Sequence, residues 1–182
     1  MPHEADAPSP FVVAHEAALR AAGRQGPVLD LACGRGRHAR LLAGWGLRVV
    51  ALDRDPDALR ALAAEARRTG LAIAPLRADA EAGHGLPFPA ASFAAVVVTR
   101  FLFRPLAPVL AALLRPGGLL LYETFTNRQR ELGQGPRNPA FLLEPGELPT
   151  LFPQLEILTA REELRAGPPR EWVASLAALR PS

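Results

Sequence analysis

The residues of this 182-residue chain best suited to chemistry lie in Val28-Leu-Asp-Leu-Ala-Cys-Gly-Arg-Gly-Arg-His-Ala39, with Asp53 closing the next apolar run. Val28–Leu31 reads as a strand, Gly34 and Gly36 as a tight turn, and His38–Ala43 as the start of a helix. A glycine turn between strand and helix lets a ligand touch bare backbone, because glycine has no Cβ to hold it off. Gly34-x-Gly36-x-x-Ala39 also fits the dinucleotide fingerprint, a pattern of low specificity on its own. Asp30 separates the two readings. It falls at the strand tip, where a dinucleotide would place its pyrophosphate, and a carboxylate there repels phosphate, which needs N–H groups and the positive end of a helix. It attracts a ligand bearing an ammonium or a sulfonium instead. S-adenosyl-L-methionine (SAM) carries both and has no phosphate.

The elements that must hold these residues alternate along the chain. Ser9-Pro10 is a helix start, serine as N-cap and proline at the first position, and leads into a helix over Phe11–Ala22. Strands are expected at Val28–Leu31, Arg48–Leu52, Ile73–Leu76, Phe93–Val98 and Leu119–Thr124. Helices are expected at His38–Ala43, from Asp55-Pro56 to Arg68, and at Leu106–Leu114, closed by Pro116-Gly117-Gly118. The unbroken apolar run Phe93–Val98 suits a central parallel strand covered on both faces. Asn127–Ala140 is polar, with two glycines and two prolines, and reads as an ordered loop or lid. A short helix at Glu144–Leu151 and two strands, Leu155–Ala160 and Trp172–Leu179, complete the chain. Such alternation gives a doubly wound α/β sheet, and the last pair leaves no room for a crossover helix, so it implies an antiparallel edge. Residues 1–9 read as a flexible tail and 10–182 as a single domain.

The segment D-L-A-C-G-R-G followed by V-V-A-L-D resembles the class I SAM-dependent methyltransferases, over roughly residues 10 to 125. That resemblance implies a Rossmann-like sheet of seven strands, mostly parallel with an antiparallel last strand. It implies SAM as cofactor and S-adenosyl-L-homocysteine (SAH) as product. It also implies that Asp30 helps hold the methionine amino group, with Ala32, Gly34 and Gly36 passing beneath the cofactor. Asp53 would take the ribose hydroxyls beside Arg54, and Asp79 the adenine amino group beside Ala80. Thr99, ending the fourth strand, would supply a backbone contact. L-R-P-G-G at Leu114–Gly118 and the stretch after strand five are similar to small bacterial methyltransferases related to the tellurite-resistance methyltransferase.

Acceptor residues are sought after strands four and five. Thr99-Arg100-Phe101-Leu102-Phe103-Arg104 lacks the Asn/Asp-Pro-Pro-Tyr/Phe signature of methyltransferases acting on base amines or glutamine amides. Arg100, Phe101 and Phe103 are candidates for the acceptor wall, since aromatics exclude competing water. Core packing is the alternative for both phenylalanines. Arg128, Arg130 and Arg137 can attract an anionic acceptor, or can be solvated surface arginines. Acid–base candidates are His15, whose helix caps the cofactor pocket in the resembled family, and Tyr122 and Glu123 at the end of strand five. His38 is expected to pack or cap, His84 to be exposed, and Cys33 to be a small loop residue with no metal or nucleophile spacing around it.

Composition narrows the function classes. All 21 basic residues are arginine and the net charge is +3. The pI of about 10.3 therefore reflects arginine's high pKa rather than a strongly basic surface, and nucleic acid is not indicated. One cysteine excludes an internal disulfide. The first ten residues have neither a basic nor an apolar signal region, and no run approaches the ~20 apolar residues of a membrane helix, so a cytoplasmic protein is expected. The reading is a methyltransferase acting on a small molecule, without metal. The alternatives are an RNA methyltransferase and a non-catalytic SAM-binding regulatory protein.

Overall fold

The computed structural model describes residues 7–83, 85–167 and 169–182; His84 and most of the expected tail lie outside them. Seven strands form one sheet in the order β3-β2-β1-β4-β5-β7-β6. They are β1 (Val28–Leu31), β2 (Val49–Asp53), β3 (Ile73–Arg77), β4 (Phe93–Thr99), β5 (Leu114–Phe125), β6 (Glu156–Arg165) and β7 (Glu171–Leu179). The first five pair in parallel. β7 runs antiparallel between β5 and β6. The chain reverses at β1, so β1 and β4 are neighbours whose carboxyl tips open a crevice, the usual ligand position in open α/β sheets.

Every residue of β4 is buried, and its side chains alternate between two cores. Ala95 and Val97 meet α1 (Pro10–Ala14), α2 (Glu16–Gly23), α3 (Arg37–Gly44) and α4 (Pro56–Thr69) through Val12, Leu19, Leu42 and Leu62. Val96 and Val98 face α5 (Ala107–Leu113) and α6 (Glu147–Thr150) through Leu110 and Leu148. Period-two alternation with apolar residues at both phases is what a sheet covered on both sides requires.

Three boundaries differ from the sequence reading. The helix expected over Phe11–Ala22 is broken at His15, whose backbone leaves the helical region and caps α1. β5 begins at Leu114, because Phe93 pairs with Leu114 before the register jumps to Ala95 opposite Leu119. β6 extends to Arg165, carried by its pairing with β7 and not by its own pattern. Ser9, counted with the tail, is buried and accepts a hydrogen bond from the Phe11 N–H at 3.1 Å. Among the described residues no helix is long and apolar enough to cross a membrane, and no group of three or more His, Cys, Asp or Glu is placed to hold a metal ion.

Candidate functional site

The loop after β1 bends sharply. Ala32 and Gly34 both take left-handed φ values near +53°, and Gly36 sits at +81° as the N-cap of α3. The two glycines differ in what surrounds them. A Cβ on Gly34 would meet nothing within 4 Å, whereas one on Gly36 would lie 2.6 Å from the Leu62 side chain of α4. Gly34 therefore borders open space and Gly36 serves helix packing. Asp53 ties this loop to the next strand: its Oδ2 accepts the Gly34 N–H at 2.7 Å and its Oδ1 the Asp55 N–H at 2.9 Å.

A cavity of about 350 Å³ lies over these tips, lined by Ala32, Asp53, Arg54, Ala78, Ala80, Glu81, Arg100 and Phe101, and closed by Phe125, Pro136 and Phe141. Arg54 is ion-paired with Glu81 at 3.1 Å. Asp79 is exposed, and its Oδ1 accepts the Glu81 N–H at 2.9 Å, which shapes the turn after β3. Asp30, two residues before the cavity-lining Ala32, lines neither this cavity nor the larger one and is 1% exposed, with Oδ2 lacking any hydrogen-bond partner. Burial pushes its pKa up to about 7, opposed by the Ala39 backbone N–H and the Arg37 charge.

Arg100, itself left-handed at φ +54°, also lines a second cavity of about 690 Å³. Ser9, Phe11 and His15 wall one side of it, Arg161, Glu163 and Arg165 of β6 the other, and Glu123 and Glu171 are buried at its base. The charged groups form a chain. Ser9 Oγ donates to Glu123 Oε1 at 2.7 Å, and Arg165 meets Glu123 at 2.5 Å and Glu171 at 3.9 Å. Arg100 pairs with Glu171 at 2.6 Å. His38 completes the anchorage: its Nε2 accepts the Ser9 N–H at 2.9 Å. The neutral ring then carries its proton on Nδ1, which donates to Thr99 Oγ1 at 3.2 Å. Burial, together with the charges of Arg37, Arg100 and Arg165, holds this imidazole neutral with its pKa lowered to about 3. Packing and capping were the roles expected of it.

The acid–base candidates separate in space. Tyr122 points to the opposite face of β5 from Glu123; its hydroxyl donates to the Phe101 carbonyl at 3.0 Å, and burial pushes its pKa further up. It holds Phe101 in place and lines neither cavity. Glu123 lines the larger cavity. His15 lines it too, and because the Phe11 carbonyl can only accept, the 2.8 Å contact assigns the proton to Nδ1 and leaves Nε2 basic. Phe101 lines the smaller cavity, whereas Phe103 packs against the core. Arg137 is exposed on a shallow surface hollow with Arg130, and Arg128 stacks 3.5 Å from the Trp172 ring centroid. Ser9, Arg165 and Glu171 were missed in the sequence, since no motif marks them and more than 100 residues separate the first from the others.

The methyltransferase-domain family matches residues 28–118, half of the chain. The chain belongs to the class I SAM-dependent methyltransferases. Ribosomal protein L11 methyltransferase of Pseudomonas aeruginosa is 40% identical over 129 residues, which span 68% of this chain and 41% of that protein. The chain thus covers less than half of the curated relatives it matches. Among solved structures, one concerning conversion of a disulfide bond into a thioacetal group during echinomycin biosynthesis is 25% identical, with a TM-score of 0.74 over 100% of this chain and 86% of that one. TehB from Haemophilus influenzae is 20% identical, with a TM-score of 0.69 over 90% and 62%, a likeness of fold. The residues present suit a methyltransferase cofactor. A buried Asp30 oxygen without a hydrogen-bond partner suits a cationic ligand group, and the space over Gly34 admits close backbone approach.

Proposed function

We propose that this chain transfers the methyl group of SAM to a small-molecule acceptor held in the larger cavity. The observation that carries this reading is the place of Arg100, which lines both cavities, so that a ligand over Asp53 and one between His15 and Glu123 meet at the tip of β4. SAM, when bound, supplies an electrophilic methyl on a sulfonium. Asp30 pairs with its amino group, Asp53 and Arg54 face its ribose, and Ala78–Ala80 border its adenine, with Asp79 at the amino edge. Gly34 and Ala32 leave the backbone bare beneath it, and Thr99 fixes the strand tip through His38.

The chain's own part in the chemistry is alignment and exclusion of water. Phe11, Phe101 and the β6–β7 hairpin provide walls, and Arg100 sets the boundary between donor and acceptor. His15 Nε2 is placed to take the proton that an O–H, N–H or S–H nucleophile releases. Glu123, already bonded to Ser9 and Arg165, acts by holding the acceptor wall together.

A second reading is a protein acceptor, favoured by the likeness to the L11 methyltransferases. Methyl transfer from labelled SAM to thiols, phenols, oxyanions and small carboxylic acids, run beside ribosomal protein L11 and bulk tRNA, separates these. Label entering only a small molecule supports the proposal. Label entering only L11 or tRNA refutes it, and SAH binding without transfer to any of them identifies a regulatory SAM-binding protein.

A further inference from the structure

We propose that the larger cavity selects an acceptor carrying a carboxylate, and that Arg165 is the group that recognises it. The inference rests on the methyltransferase reading above and adds the acceptor's chemical class. Its starting point is an imbalance. Four arginines (Arg37, Arg100, Arg161, Arg165) line the cavity against three glutamates (Glu123, Glu163, Glu171). Each buried glutamate is already engaged, Glu123 by Ser9 and Arg165, and Glu171 by Arg100. Arg37 and Arg100 are engaged as well, Arg37 by the Ala7 carbonyl and by Thr99, and Arg100 by Glu171, which shifts recognition to Arg165.

Arg165 carries it most clearly. One of its terminal nitrogens meets Glu123 at 2.5 Å and the other stands 3.9 Å from Glu171, too far for a hydrogen bond. Its Nε is buried and has no hydrogen-bond partner. A guanidinium offers five N–H donors in a planar fork and no acceptor, so the terminal nitrogen that stands 3.9 Å from Glu171 is the donor a carboxylate oxygen in the cavity can take. Glu123 and Glu171 flank the guanidinium and fix its orientation, so the site is arranged before the ligand arrives. A cationic sulfonium in the smaller cavity, across Arg100, would add a second reason for an anion in this space.

The test uses the full chain saturated with SAH and a set of monocarboxylates from acetate to phenylacetate, each beside its primary amide, read by saturation-transfer NMR and thermal shift. The acids are expected to bind and their amides to bind at least about tenfold more weakly, the loss of a charge-assisted pair of hydrogen bonds. Arg165→Lys keeps the charge opposite Glu123, and with it the fold, but lacks the planar fork. It is expected to lose about tenfold in carboxylate affinity while SAH binding stays within about twofold. Equal binding of acids and amides, binding of neither, or full carboxylate affinity in the lysine variant each overturns the assignment. Failure of the unaltered protein to bind SAH overturns the methyltransferase reading instead, which keeps the two failures distinct.

Discussion

Replacing Asp30 by asparagine should change how stability depends on pH, in a direction set by the buried carboxyl. In the ligand-free chain Asp30 stays protonated up to a pKa of about 7, whereas in the unfolded chain it ionises near 3.8. Between those values the folded state holds a proton that the unfolded state has released, so stability falls as pH rises. Roughly three pH units at ~1.36 kcal/mol each give a loss of about 4 kcal/mol across the window. His38 acts in the opposite sense. Its folded pKa of about 3 lies below the ordinary 6.5, so the unfolded chain gains a proton that the folded one refuses, and stability falls as pH drops below 6.5. The two nearly cancel in the unaltered protein between pH 4 and 6.5. Urea unfolding of both proteins from pH 4.5 to 8 isolates the Asp30 part as a difference curve. The asparagine variant should gain on the unaltered protein by about 3–4 kcal/mol over this range, with most of the change below pH 7. SAH, whose ammonium favours the ionised carboxyl, should release a proton on binding at pH 6.5, seen as a buffer-dependent calorimetric enthalpy, and the variant should not. A flat difference curve would refute the buried, protonated Asp30, and an enthalpy independent of buffer would refute its pairing with the cofactor's amine.

The two loop glycines should part company: Gly36→Ala, pressed against Leu62 in a left-handed conformation, should cost at least ~2 kcal/mol of stability, and Gly34→Ala only ~1 kcal/mol but most of the SAH affinity. Denaturation midpoints beside SAH calorimetry check this, and equal stability losses would show that Leu62 yields. His15→Gln should reduce turnover about a hundredfold with an acceptor that must lose a proton, with SAH affinity kept within about twofold, and an unchanged kcat would remove His15 as the base. Arg104 holds the segment after β5 through Glu147 and the carbonyls of Ala140 and Leu142. Arg104→Met should therefore speed hydrogen exchange over residues 127–143, and SAH should slow exchange over 127–140 in the unaltered protein if that segment closes on ligand. Exchange indifferent to SAH would make the segment a fixed wall.

Much of the fold was legible because local rules suffice for it. Val28–Leu31 and the start of β4 fell where their apolar runs placed them, and Asp55-Pro56 opened α4 through an N-cap whose side chain accepts the Asp57 and Ala58 N–H groups. The shape of the loop after β1 was legible for the same reason: Asp30, Gly34 and Asp53 lie within one β-α-β unit, and the glycine turn follows the strand directly. The break at His15 and the full length of β6 were not, because each depends on a partner remote in sequence.

What the sequence by itself determined is thus the loop after β1 that is proposed to hold the cofactor, where charge, turn geometry and strand order are all encoded locally. Tertiary structure decided which residues gather around the larger cavity, the proposed acceptor site. Ser9, His38, Thr99-Arg100, Glu123, Arg165 and Glu171 come from six separate stretches and meet only because β7 inserts between β5 and β6 and the N-terminal segment folds over the strand tips. It also decided which of two glycines faces open space, which of two neighbouring residues at the end of β5 faces the cavity, and which nitrogen of His15 is basic. The physical reason is common to all: burial and hydrogen-bond partners are properties of packing, and no residue type or short spacing specifies who its distant neighbour will be.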